Sequence, residues 1–120
     1  AVDAFSEKPQ FQRVILANPI TDLTLDCWGK FAQNGASKAM LSPALHVGAQ
    51  CSPTLLLHGE ADKTVSPEHS LRYHAAMQKA GVPCDLLLLK STTHAFLLAE
   101  YYKDTAAFET AAQWMREECR

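Results

Sequence analysis

Two short apolar runs without alternation, TLLLHG at 54–59 and CDLLLLK at 84–90, set the terms on which this chain can fold. A strand with one wetted face alternates apolar and polar residues. A continuous run predicts a strand covered on both faces, as in a parallel sheet with helices on either side. The segment between the runs carries its own punctuation. Ser66-Pro67-Glu68 reads as a helix start, with serine as the N-cap, proline at the first helical position and an acid just inside. Gly81, backed by Pro83, reads as its stop. The predicted helix covers 67–80, with Leu71, His74, Ala75, Met77 and Gln78 near its inner stripe. Residues 54–90 therefore predict one βαβ unit, whose strands are parallel and whose crossover is right-handed in nearly all proteins.

The rest of the chain adds to that unit. FQRVILANP at 11–19 has a Val-Ile-Leu centre that predicts a strand near 12–17, ended by Pro19. Residues 21–40 are mixed; Thr21 or Asp22 can cap a short helix, and Asn34-Gly35 reads as a turn or stop. Residues 41–53 hold two prolines and a glycine and predict a loop with at most one helical turn. After a loop over 91–100, Asp104 or Thr105 can cap a final helix to about Glu118, with Ala107, Phe108, Ala111, Ala112 and Met115 on one side. The expected fold class is α/β: one domain over 1–120, built on a small, mostly parallel sheet of about three strands flanked by helices, with the strand at 54–58 central.

Composition removes several classes of function. Hydrophobic residues make up 48% and charged residues 20%, which is no disordered composition. Eleven basic residues against thirteen acidic ones leave a net charge of −2, and the basic residues are scattered. No nucleic-acid partner is expected from that pattern. The apolar runs fall far short of the roughly 20 residues of a membrane helix, so no membrane partner is expected either. Cys27, Cys51, Cys84 and Cys119 form neither a CxxC nor a finger pattern. Dispersed reduced thiols point to a cytoplasmic protein, with two disulfides in a secreted one as the alternative. His69 and His74 are five apart, which is not the i, i+4 spacing of a helical metal pair. Neither a metal nor another cofactor is expected.

Chemistry in open α/β sheets gathers just past the carboxyl ends of the strands. That rule selects HGEADKTV after the second strand and STTHAF after the third, and with them Asp62 and His94. Adjacent parallel strands bring both loops to one rim. There an aspartate can hold an imidazole in one tautomer, which is the orienting half of a nucleophile–histidine–acid triad. Taken singly, each residue also fits a plain role, Asp62 as a turn residue and His94 as a hydrogen-bonded histidine. His58 is expected to hold its own loop by hydrogen bonding, and Glu60 to be a solvated acid. Cys27, Trp28, Phe31 and Trp114 read as core, lid or interface residues.

TLLLHGEADKTVSPEHS together with AGVPCDLLLLKSTTHAFLL resembles the C-terminal part of the α/β-hydrolase fold, in its acetylesterase/lipase-like branch. PALHV and FQRVILANPITDL resemble the stretches such enzymes place upstream, so the resemblance covers about residues 11–115. It implies Asp62 as the triad acid and His94 as the base of a carboxylic ester hydrolase. The sequence departs from the family at Thr93, where glycine is usual, at Ala95, often glycine there, and at Ser66, where proline is usual. More consequentially, the nucleophile elbow G-x-S-x-G does not occur in the sequence; NGASKAM at 34–40 lacks the second glycine. In the family that elbow precedes the strand matched by 11–17. The expectation is therefore the acid- and histidine-bearing half of a hydrolase about twice as long, weak or inactive alone, taking a small ester only when completed by a missing N-terminal half. The alternative is a non-catalytic remnant that self-associates as a dimer through an open edge at 11–17.

Overall fold

A computed structural model describes residues 13–25, 37–90, 93–94 and 105–118. In chain order these form β1 (Val14–Ala17), a 3-10 turn (Pro43–Leu45), β2 (Thr54–Gly59), α1 (Glu68–Lys79), β3 (Cys84–Leu89) and α2 (Thr105–Glu118). The strands lie in the order β1-β2-β3 with β2 central. Both pairings are parallel, with Val14 opposite Thr54 and Thr54 opposite Cys84. The three expected strands are thus present, each within two residues of its predicted ends.

Every residue of β2 is buried, which accounts for its lack of alternation. Successive side chains point to opposite faces of the sheet. Leu55 and Leu57 pack on one face with Ile15, Ala17, Leu87 and Leu89, and α2 covers them with Ala111 and Trp114. Thr54, Leu56 and His58 point to the other face, where His58 meets Ser70 of α1. Arg13, just before β1, lies over the Trp114 ring at 3.8 Å from its centre and donates to the Trp114 carbonyl. The indole N–H of Trp114 donates in turn to Asp85 of β3. Trp114 therefore belongs to the core-covering face of α2, while Ala112 and Met115 are exposed.

The boundaries of α1 follow from local chemistry. Pro67 already has helical dihedrals, and Ser66 Oγ accepts from the Glu68 N–H. At the other end Gly81 adopts φ +74°, its N–H donates to Gln78 O, and the Val82 N–H donates to Met77 O. That pair of bonds with a left-handed glycine is the Schellman stop. The inner face differs from the expected stripe. His69, Ser70 and Met77 are buried, whereas Leu71 is exposed. The reason is polar packing: His69 Nδ1 accepts from the N–H groups of Thr21 and Asp22, and Thr21 Oγ1 donates to His69 O. The loop after β1 is thereby stitched to the first turn of α1. Asp22 accepts from Thr24 and Arg72 and closes a turn rather than a described helix. Cys27, Trp28, Phe31 and the Asn34-Gly35 pair lie outside the described residues, as does most of the loop after β3.

Candidate functional site

Parallel pairing puts the C-terminal ends of β1, β2 and β3 on one rim, and the candidate site is assembled there. Asp62 follows β2 in a tight loop and its side chain is fully buried. Oδ1 accepts the N–H groups of Thr64 and Val65 at 2.9 and 2.8 Å, which folds the loop around the carboxylate. Oδ2 faces two histidines. His94 Nδ1 lies 2.8 Å away and His58 Nε2 lies 3.3 Å away.

The two histidines differ in everything but this shared oxygen. His58 is fully buried. Its Nε2 lies 2.8 Å from the Val65 carbonyl, which only accepts, so Nε2 carries the proton. Nδ1 then accepts from the Ser70 hydroxyl at 2.6 Å. Burial pushes the His58 ring below its ordinary value of 6.5, as do His69 and His94, against the hydrogen bond to Val65 and the Asp62 charge. Ser70, His58 and Asp62 thus contain the residue types of a triad, but with both serine and histidine sealed from solvent they form an internal brace of the acid loop. This is the loop-stabilising role expected for His58.

His94 is the accessible member. Its side chain is 40% exposed. A carboxylate oxygen accepts, so Nδ1–H donates to Asp62 and the neutral ring keeps its lone pair on Nε2. The ring lines an open cleft of about 620 Å³ together with Ala61, Lys63, Thr64 and Thr93. An imidazole held in this tautomer by a buried carboxylate can accept a proton from a nucleophile and return it to a leaving group. The rim therefore joins the two residues that the strand-end rule selects. Glu60 is exposed, as expected.

Sequence reasoning missed Asn18. Its Nδ2 donates to the His94 carbonyl at 2.8 Å and its Oδ1 accepts the Gly59 N–H at 3.0 Å. The available signal was an Asn-Pro pair ending a strand, since asparagine tolerates a left-handed backbone. Among the serines, Ser42 is fully buried, accepting from Leu23 N–H and donating to the Lys38 carbonyl, and Ser37 accepts from Met40 N–H. Cys51 and Cys84 are free thiols, and burial pushes Cys84 up to about 11 with Asp85 adding to the shift. Among the described residues no cluster of three potential metal ligands occurs, and no helix is long and apolar enough to cross a membrane.

Three parallel strands with a carboxylate after one and its histidine after the next are the arrangement of an α/β-hydrolase. Solved hydrolases share the fold. An acetyl ester-xyloside bifunctional hydrolase from Caldicellulosiruptor lactoaceticus superposes with a TM-score of 0.77 at 23% identity, over 88% of this chain and 42% of that one. Esterase 2 of Thermogutta terrifontis, in a structure phosphoramylated by tabun, gives 0.71 at 29% identity over 90% of this chain and 42% of that one. The chain belongs to the prolyl oligopeptidase family, whose sequence pattern matches residues 4–119. The human acylamino-acid-releasing enzyme is 32% identical over 75 residues, which are 62% of this chain and 10% of that protein. The chain thus spans a tenth of the curated relative's length and under half of these two solved structures.

Proposed function

We propose that this chain supplies the acid and the base of a serine hydrolase acting on acyl compounds, with Asp62 as the acid and His94 as the base. The observation that carries the reading is the 2.8 Å bond from His94 Nδ1 to a buried carboxylate, on a ring that opens into a cleft. In this scheme a serine hydroxyl, on polypeptide beyond these 120 residues, attacks the acyl carbon. His94 Nε2 takes its proton and passes it to the departing alcohol or amine. A water then repeats the sequence to release the acid. Carboxylic esters are the first substrate class, in keeping with the esterases of like structure. Acylated amino acids are a second, from the name of the human relative. In this reading these 120 residues are the acid- and histidine-bearing portion of such an enzyme.

Hydrolysis of a small activated ester tests this. The chain alone is expected to turn over at background rate. A protein completed with a G-x-S-x-G segment should lose about a thousandfold or more on His94→Ala. Fast, saturable hydrolysis by the chain alone, abolished by His94→Ala, would place a nucleophile within it and overturn the division of labour; Ser37, Ser42 and Cys27 would be replaced first.

A second reading rests on β1, which is an outer strand of the described sheet. In this reading two chains pair their β1 strands into one continuous sheet, as a non-catalytic dimer. The N–H groups of Val14 and Asn18 point to β2, so those of Ile15 and Ala17 point away from it. Sedimentation at micromolar concentration should show a dimer that Ala17→Pro returns to monomer; a wild-type monomer discards the reading.

A further inference from the structure

Asn18 stands where the three strand ends meet. It has φ 47°, the one non-glycine residue with positive φ among those described, and it is buried. Its own N–H donates to the Leu57 carbonyl at 2.7 Å, continuing the β1–β2 ladder one step past the strand. The left-handed turn then directs the side chain across the rim. Gly59 N–H can only donate and the His94 carbonyl can only accept, so the two contacts admit a single orientation of the carboxamide.

We propose that Asn18 is a positioning residue for His94, tying the backbone of the histidine loop to the ends of β1 and β2 while Asp62 holds the ring. The proposal rests on the reading of His94 as the base. The logic is one of two fixed points. Asp62 sets the direction of the imidazole, but a hydrogen bond at Nδ1 leaves the backbone of residue 94 free to rock about it. The Asn18 amide fixes the carbonyl of the same residue. With both ends held, the ring has little left to search, and misplacement by about 1 Å can cost a hundredfold in rate. The residue type follows from the job. A side chain at a left-handed position must be one that tolerates it, and asparagine is among the few. It must also donate and accept within one short amide. Aspartate is isosteric but offers the His94 carbonyl a second acceptor, and glycine keeps the backbone while offering nothing.

Those two replacements give the test. Full chain labelled with ¹⁵N is compared as wild type, Asn18→Asp, Asn18→Gly and Asp62→Asn, following the His94 Nδ1–H proton and the Gly59 amide by hydrogen exchange. Asn18→Asp should speed exchange of the His94 Nδ1–H about fivefold to tenfold while leaving the Gly59 amide as protected as before. Asn18→Gly should speed both. Asp62→Asn should abolish the His94 signal and spare the Gly59 amide. A His94 proton unaffected by either Asn18 variant overturns the proposal, as does an equal rise across the whole β2–β3 ladder, the mark of general loosening. If Asp62→Asn also leaves the His94 signal untouched, the acid–base reading fails with it; if only the Asn18 variants are silent, that reading stands and the positioning role alone falls.

Discussion

The acid loop and the histidine loop meet at one oxygen atom, yet they are built to opposite standards. Asp62 sits in a sealed network: two backbone N–H groups on Oδ1, two histidines on Oδ2, and behind them Ser70 on α1. His94 has a half-open ring, one bond to Asp62 and one backbone bond to Asn18. The difference separates what each residue must do. A carboxylate that only orients a neighbour gains from being locked in the folding core, because a buried polar group without partners is costly. A base that exchanges protons with a substrate must stay reachable, so its placement is delegated to neighbours.

The contrast can be broken first at its stronger side. Asp62→Ala strips Thr64 N–H and the buried Val65 N–H of their acceptor, and should cost about 3 kcal/mol of stability. Urea unfolding reads this directly; a loss below about 1 kcal/mol would mean that the loop does not depend on its carboxylate.

Acid should sharpen the same contrast more gently. His58 is held below its ordinary value of 6.5 in the folded chain, so on lowering the pH the unfolded chain takes up that proton first. Stability should therefore decline as pH falls from 6.5 towards the depressed folded value. Asp22 adds a later step. Burial pushes its carboxyl up, but hydrogen bonds from Thr24 and the Arg72 guanidinium outweigh this and leave it below 3.8. Its contribution is present above 3.8 and is lost as pH falls through the lower folded value. Urea midpoints at about pH 7.5 and about pH 5.5 isolate the histidine step; equal midpoints would contradict it.

The smallest effect is expected on the exposed side. His94→Ala removes a partly solvated ring and leaves Asp62 its two backbone N–H donors and the His58 ring 3.3 Å away, so the change in stability should stay under about 1 kcal/mol. A loss comparable to that of Asp62→Ala would erase the distinction between the two loops.

How far the molecule is legible in its sequence depends on how local each instruction is. Ser66, Pro67 and Gly81 act on backbone groups a few residues away, so both ends of α1 can be read from the letters alone. The leucine runs announce β2 and β3 because burial on both faces leaves no alternation. The rim contact between Asp62 and His94 is legible only in combination, from a strand-end rule applied twice across 32 residues. Asn18 was not legible. Its partners lie 41 and 76 residues away, and nothing nearby marks its side chain as more than a turn former. The inner face of α1 was misread for a related reason. Hydrophobic periodicity looks for apolar letters, but the helix buries His69 and Ser70 against polar partners supplied by the loop after β1 and by β2, leaving Leu71 outside.

The stack of Arg13 on Trp114 has a practical consequence for anyone following this chain in solution. The indole sits under a guanidinium and hydrogen-bonds a carboxylate of β3, so its excited state feels charges of both signs from two different strands' neighbourhoods. Its emission colour and quantum yield will change when α2 lifts from the sheet. Only Trp28 shares its spectral window. With Trp28 replaced by phenylalanine, the chain carries a built-in fluorophore that reports attachment of its last helix independently of the events at the rim.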